Sequence, residues 1–517
     1  VEAFVAQVTG RTADGRILTT SRVGLDIAGA ASVLIGPLPV GTRTEPGPAA
    51  LIAADSAMIP PSRMSEQWDV VEAVCGQADG IPLALELIGA AVANGAPTET
   101  VVADVITAAV STATVALSDE ARRAVDILAV LPGAAGIPFL AEVAGESSVA
   151  MGRAIGQATR VGLLTRAALG ARGRIALLEP ARDVLEPWAS SRRPVFDEVR
   201  STVFDLARRT RPSPSSAFDI ETSLIVDDEH HIVMWVLEQL PDADRLELVT
   251  LLGGLWAACG RSAEGQRWFA RVEPIAETAT PLAAARYWIA RSHASPSFAT
   301  RVPFVERLRT ALDVTLAEGD VREATRAAGE LAVGVMWSGH IDEGRALLQR
   351  AYDLRDEGNR WGELTIVKIN AVADVLAGAD PAAAVDRLQK TAHEFLDVGH
   401  MGDVMACLYL AAVGARMAGD AERMRAVFDT ADTLEPDRFA GYSHAALSYE
   451  RANLAVAQRD ADAGPRLWEA LSRLTTHGEH RTAEVCRRDL GRWRLEHGDE
   501  GGAADLARAA RGLLGRD

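Results

Sequence analysis

Residues 419–460 read GDAERMRAVFDTADTLEPDRFAGYSHAALSYERANLAVAQRD, and this stretch decides the fold. After Gly419, the residues Ala421, Met424, Phe428, Ala431 and Leu434 recur at spacings of 3, 4, 3 and 3. That spacing sets them on one face of a helix. A second Ala-rich helical run, 445–458, follows before the polar pair Arg459-Asp460. About 40 residues therefore hold two helices of about 15 residues each and two turns.

The same frame returns elsewhere. After Gly339 it holds Ile341, Gly344, Leu348, Ala351 and Leu354; after Gly260 it holds Gly265, Phe269, Val272 and Ile275; after Gly498 it holds Ala503, Ala507, Ala510 and Leu513. Weaker copies start at Ala299, Asp380 and Arg459. The seven starts, at positions 260, 299, 339, 380, 419, 459 and 498, are about 40 residues apart. The expectation is a mainly α chain in which 195–517 forms an α-solenoid of about seven such hairpins. This period exceeds that of a strict tetratricopeptide repeat, about 34 residues, and the W-x-x-L-G-x-x-Y signature is absent, so the repeat is tetratricopeptide-like. Most of the ten tryptophans, among them Trp235, Trp256, Trp268, Trp337, Trp361 and Trp468, sit at helical spacings and are expected in the repeat core.

Composition narrows the function classes. At 517 residues the chain has room for three to five structural units, and 48% hydrophobic with 24% charged residues makes it globular. Cys75, Cys259, Cys407 and Cys486 lie far apart with no C-x-x-C, which argues against a disulfide scaffold or zinc ribbon and fits a reduced cytosol. No uncharged run reaches the ~18 residues of a membrane helix, and the longest apolar stretch, 81–96, is broken by Glu86. The chain opens Val1-Glu2-Ala3 without Met or a basic leader, as though entered in mid-domain; the expected location is cytoplasmic. A net charge of −18 argues against tracking a nucleic-acid backbone. Lys368 and Lys390 are the only lysines and neither follows a glycine loop, so a self-sufficient P-loop ATPase is excluded.

The stretch 1–190 reads differently. Short β-type runs at 16–20 and 31–35 precede helical patterns, and Gly80-Ile81-Pro82-Leu83-Ala84-Leu85-Glu86 opens a strongly apolar helix. Proline suits a helix start because its missing N–H is not needed there. Leu117-Ser118-Asp119-Glu120 is a capping signature for the next helix, which Leu131-Pro132-Gly133 stops. Another helix is expected near Pro138 and a third over 151–161, followed by a hairpin from 162–165 and 174–178 around a Gly-rich turn. Three helices closed by a hairpin make a winged-helix pattern.

In that order, Thr19-Thr20-Ser21-Arg22, Cys75-Gly76-Gln77-Ala78-Asp79-Gly80-Ile81-Pro82-Leu83-Ala84-Leu85-Glu86 and Leu117-Ser118 … Leu131-Pro132-Gly133 resemble the STAND NTPases. The resemblance is to the large bacterial transcriptional regulators of the SARP and LuxR types, which share a core with NB-ARC and AP-ATPase proteins. It extends through 228–269, which is similar to that family's linker into its repeats. The resemblance implies the end of an NTPase α/β domain over 1–55, a helical lid over 56–112, a winged helix over 113–190 and then the solenoid. It also implies an ATP/ADP switch in the intact protein, with Arg22 directed at the terminal phosphate and Pro82 packed on adenine. Leu178-Glu179 falls at the family's M-H-D position, where Leu178 cannot donate to a phosphate and Glu179 is the polar candidate. The Walker A loop and Walker B aspartates that precede these motifs in the family are not in this chain, so no catalytic residue, no metal site and no tight nucleotide binding by this chain are expected.

The implied role is regulatory: a protein or small-molecule inducer on the solenoid, ATP-for-ADP exchange as the switch, and DNA contacted only through a domain outside this chain, with oligomerisation on activation possible. The rivals are a helical-repeat protein-binding scaffold with a relic NTPase front half and a regulator of a fused signalling enzyme. Several motifs are read as bland. Leu224-Ile225-Val226-Asp227-Asp228-Glu229 looks like a Walker B strand but is expected to mark a helix start. The run Asp227 to His231 and the pair His477 and His480 are expected to be solvated loop residues. The span 113–190 holds eight Arg against eight acidic residues, so its winged helix is not expected to bind DNA directly.

Overall fold

The computed structural model describes residues 38–78, 82–93, 105–115, 117–166, 173–185, 193–210, 219–295, 298–355, 358–378, 380–434, 441–476 and 480–513. The expected strands at 16–20 and 31–35, and Arg22, lie outside them. The chain divides into two compact units, residues 1–129, 149–170 and 175–190 in one, and 130–148, 171–174 and 191–517 in the other.

Up to residue 190 the elements are α1 (Pro48–Ser56), α2 (Trp68–Ala78), α3 (Pro82–Ala93), α4 (Val105–Val115), α5 (Asp119–Val130), α6 (Ile137–Ala144), α7 (Ser148–Arg160), β1 (Leu164–Arg166), β2 (Ile175–Leu177) and α8 (Glu179–Leu185). In the first unit α1 buries Ala49, Ala50, Ala53 and Ala54 and packs on α3. Ser118 starts α5, its hydroxyl accepting the Ala121 N–H at 3.3 Å. The hairpin is antiparallel, with Leu164 opposite Leu177, Thr165 opposite Ala176 and Arg166 opposite Ile175.

The second unit begins its long run with α9 (Arg193–Arg209), α10 (Ile220–Asp228) and α11 (His230–Gln239). Seven helical pairs follow among the described residues: α12 (Asp242–Ala258) with α13 (Ser262–Thr278), α14 (Pro281–His293) with α15 (Val305–Ala317), α16 (Val321–Trp337) with α17 (Ile341–Leu354), α18 (Arg360–Ala377) with α19 (Pro381–Asp397), α20 (Met401–Met417) with α21 (Ala421–Asp432), α22 (Gly441–Gln458) with α23 (Ala463–Thr476), and α24 (His480–Glu496) with α25 (Gly501–Leu513). The fold is thus mainly α, a tetratricopeptide-like solenoid with one short hairpin ahead of it. Its buried faces are those the periodicity marks: Leu348 and Ala351 on α17, and Met424, Phe428 and Ala431 on α21, pack on the preceding helices. Burying one such Leu or Phe is worth about 1.5–3 kcal/mol.

The turn inside each hairpin has a common geometry. Gly260, Gly339, Asp380, Gly419, Arg459 and Gly498 all adopt the left-handed conformation, each at a start read from the sequence. Five of these residues end a helix by letting the chain fold back under its last carbonyls; Asp380 is instead the N-cap of α19, and Gly378, also left-handed, ends α18. The start at Ala299 differs: it lies in a 3-10 turn, Phe298–Phe304, that carries Pro303, and α15 begins only after it.

Two expectations are corrected here. On α25 the buried residues are Gly502 and Ala509, not Ala503, Ala507 and Ala510, which are exposed with Leu513. Gly502 sits against Gly491 so closely that an added Cβ would lie 2.4 Å from the Gly491 carbonyl, and this approach rotates α25 away from the repeat frame. Among the tryptophans, Trp256 and Trp268 are buried, but Trp468 is 61% exposed, because its position on α23 faces outward.

Candidate functional site

The first helices of the hairpins run side by side and wall a channel of about 570 Å³. Cα atoms of α12 and α22 approach within 8 Å, so the solenoid curls far enough to bring one wall round towards the other. The volume lies in the range of pockets that enclose small molecules. Trp337 and Trp361, expected as core, are only partly buried and line this space.

Three buried carboxylates line the channel, each with a cation. Glu330 on α16 accepts from Ser292 Oγ at 2.9 Å, with His293 Nδ1 at 3.0 Å and Arg301 Nη1 at 3.0 Å. Burial pushes its carboxyl up, but Arg301, then His293 and Ser292, outweigh that and hold it at about 2. Asp403 on α20 accepts from Lys368 Nζ and from Trp361 Nε1 at 2.9 Å, with His400 Nδ1 at 2.7 Å. Burial opposes ionisation there too, and Lys368 and His400 overcome it, keeping the carboxyl well below the usual range. Glu450 on α22 is 2% exposed and accepts from Arg416 Nε at 2.6 Å. At Glu450 burial dominates and pushes the carboxyl up despite Arg416.

None of these residues was singled out for the channel by sequence reasoning. The signal available was a lone charge within an apolar helical run, as in Ala327-Ala328-Gly329-Glu330-Leu331 or Ile366-Val367-Lys368-Ile369. A charge in such a run must be paired if it is buried.

A second polar cluster corrects the reading of 227–231 as solvated loop. Glu229, between α10 and α11, is 2% exposed. One oxygen accepts the Gly136 N–H at 2.8 Å and the other pairs with Arg174, whose guanidinium also donates to the carbonyls of Asp228 and Ala134. Burial pushes Glu229 up against the opposing pull of Arg174 and the Gly136 amide. Asp227 holds Arg261 at 2.8 Å and His230 lies 2.7 Å from Glu264. The stretch from Leu224 to Asp228 is the end of α10 rather than a strand, and the helix expected to start at its acids follows directly, with Glu229 as the N-cap of α11. Other segments cover this junction of α10 and α11: Gly136 and Arg174 meet Glu229, Arg261 and Glu264 at the start of α13 meet Asp227 and His230, and His231 stays exposed.

Among the sequence-derived site residues, Pro82 is the first residue of α3 and is exposed, and Glu179 is the first residue of α8. Arg22 lies outside the described residues. Leu178 donates its N–H to the Leu163 carbonyl at 3.1 Å, closing the base of the hairpin. His477 is also outside the described residues, and His480 opens α24. Among the described residues no group of three or more His, Cys, Asp or Glu could hold a metal ion, and no helix is long and apolar enough to cross a membrane.

No protein-family model matches the chain, and no curated protein matches it. Among solved structures it is similar to a Signal Transduction ATPase with Numerous Domains (STAND) protein with a tetratricopeptide repeat sensor from Pyrococcus horikoshii, at 12% identity and a TM-score of 0.44, over 92% of this chain and 70% of that one. It is also similar to a Rap protein complexed with competence and sporulation factor, at 12% identity and a TM-score of 0.45, over 64% of this chain and 95% of that one.

Proposed function

We propose that this chain is the sensing and regulatory part of a nucleotide-switched transcriptional regulator of the STAND class, working in the cytoplasm. The observation that carries the sensing role is the channel: a deep space on the inner face of a solenoid, lined by apolar side chains and by carboxylates already fixed by buried partners. A ligand entering it meets preset groups and loses little affinity to reorganisation. Binding there biases a two-state equilibrium to the extent that the ligand prefers one state.

The switch itself rests on the motifs of the stretch 1–190. ATP or ADP would sit with Arg22 towards its terminal phosphate, Pro82 against its base and Glu179 at the M-H-D position. The exposed ring of Pro82 at the start of α3 is compatible with that use. The P-loop and a DNA-binding module belong, on this reading, to sequence upstream of Val1. Reading the open frame there tests it directly. A continuous frame with G-x-x-x-x-G-K-[ST] and a basic effector domain is expected; a stop codon just ahead of Val1 would leave a repeat scaffold instead. The 517-residue chain by itself is expected to show no magnesium-dependent ATP turnover, because it has no P-loop lysine to hold the phosphates. Turnover by the purified chain would overturn that part.

A further inference from the structure

The channel is electrically polarised along its length. Six arginines and Lys368 line it against three carboxylates, in a chain whose net charge is −18. Those carboxylates are matched by Arg301, Lys368 and Arg416. The further arginines, Arg322, Arg326, Arg355 and Arg481, all lie at or near the N-terminal ends of α16, α18 and α24. Arg326 reaches Glu323 at 3.4 Å and Arg355 reaches Glu363 at 2.8 Å, but neither carboxylate lines the channel. The Arg355 Nε is buried with no hydrogen-bond partner, and so is Thr365 Oγ1 one turn into α18. The first helices of successive hairpins run parallel, so their N-terminal ends gather at one mouth, where their dipoles add to the positive field.

The other mouth is apolar. There the C-terminal ends of α18 and α20 contribute Val375, Leu376, Val413 and Met417, and Leu376 and Met417 are exposed to the lumen or its rim. The charges near this end, Arg416 and His293, already face Glu450 and Glu330. A 17-residue helix is about 25 Å long, which sets the distance between the two mouths.

We propose that the channel binds an amphipathic acid: a carboxylate or phosphate head among Arg322, Arg326, Arg355 and Arg481, and an apolar body of ten or so carbons directed at Leu376 and Met417. This rests on the sensing role given above and names its ligand class. Arginine forks match both head groups, and the orphaned Arg355 Nε–H supplies a donor that no protein group satisfies. An acidic peptide would satisfy the arginines but not the apolar end, and an uncharged lipid the reverse.

The test is calorimetric titration of the full 517-residue chain with dodecanoate, dodecyl phosphate, dodecanol and hexaglutamate, each below its aggregation threshold. The expected result is one-to-one binding of dodecanoate or dodecyl phosphate, or both, the stronger of the two naming the head group. Dodecanol and hexaglutamate are expected to bind at least about tenfold more weakly. The Arg322→Ala/Arg326→Ala variant should lose about tenfold to a hundredfold for the anions and leave dodecanol unchanged. Arg481→Ala, at an exposed position, guards against a folding defect in the double variant. Gly329→Phe, whose added side chain starts in open space on the channel wall, should abolish binding of every probe with the charges intact. Equal binding of acid and alcohol, anion binding that survives loss of the arginines, tighter binding of hexaglutamate, or no binding of any probe would each overturn the proposal. None of these outcomes touches the regulator reading, which is decided by the frame upstream of Val1.

Discussion

Glu330 shows what a single buried charge does in this protein. Its carboxyl is held at about 2, against an ordinary value of 4.5, by Arg301, His293 and Ser292 acting against burial. The folded state therefore binds its proton less readily than the unfolded chain does. The stabilisation is complete above about pH 4.5, declines as pH falls, and is gone below about pH 2; it is worth roughly 3 kcal/mol at neutral pH. Glu330→Gln is accordingly expected to lower the unfolding free energy by roughly 3 kcal/mol near pH 7, with the gap to the parent closing as pH falls through 4 to 2. Urea unfolding of both proteins across that range checks it, and a gap constant with pH would mean that the side chain's packing, not its charge, is what matters. At the same scale, Gly329 lies inside α16 with open space where a Cβ would be. Gly329→Ala should stabilise the chain by about 0.5–1 kcal/mol by lowering the helix's backbone entropy cost.

At the scale of elements, the hairpin turn is the unit the chain repeats. Among the described residues the left-handed residue that ends the first helix is glycine in five hairpins, Gly260, Gly339, Gly378, Gly419 and Gly498, and Arg459 in a sixth. That is why the copy at 459 looks weaker in the sequence although its helices are as regular as the rest, while at 380 the glycine sits two residues ahead of the start. A left-handed non-glycine residue costs about 1–2 kcal/mol. Arg459→Gly should therefore raise the thermal midpoint and Gly339→Ala should lower it, each corresponding to about 1 kcal/mol, read by calorimetry. The repeat was legible because apolar spacing and turn glycines are local signals. The channel was not, since Lys368 and Asp403 are 35 residues apart and Ser292 and Glu330 are 38 apart, and only stacking of neighbouring hairpins brings them together. The slip on α25 has the same origin: its rotation is set by Gly491 meeting Gly502, a contact the periodicity of α25 alone does not contain.

On the scale of the whole solenoid, each hairpin rests mainly on its neighbours, so stability is nearly a sum of local terms. Among the described residues α25 packs chiefly on α24 and buries little beyond Gly502 and Ala509. Its amides should exchange with solvent deuterium well before those of α20, which buries ten residues including Leu408 and Cys407; equal protection of the two would show that the array unfolds as one block. The approach of α12 to α22 departs from this one-dimensional picture, since it joins the first hairpin to the sixth. A wall that meets itself closes the channel along its side, so anything in the lumen comes and goes through the two mouths. Opening the seam would add a third way out, which speeds arrival and departure alike and leaves their ratio, the affinity, almost where it was. A tight seam thus lengthens the stay of whatever the lumen holds.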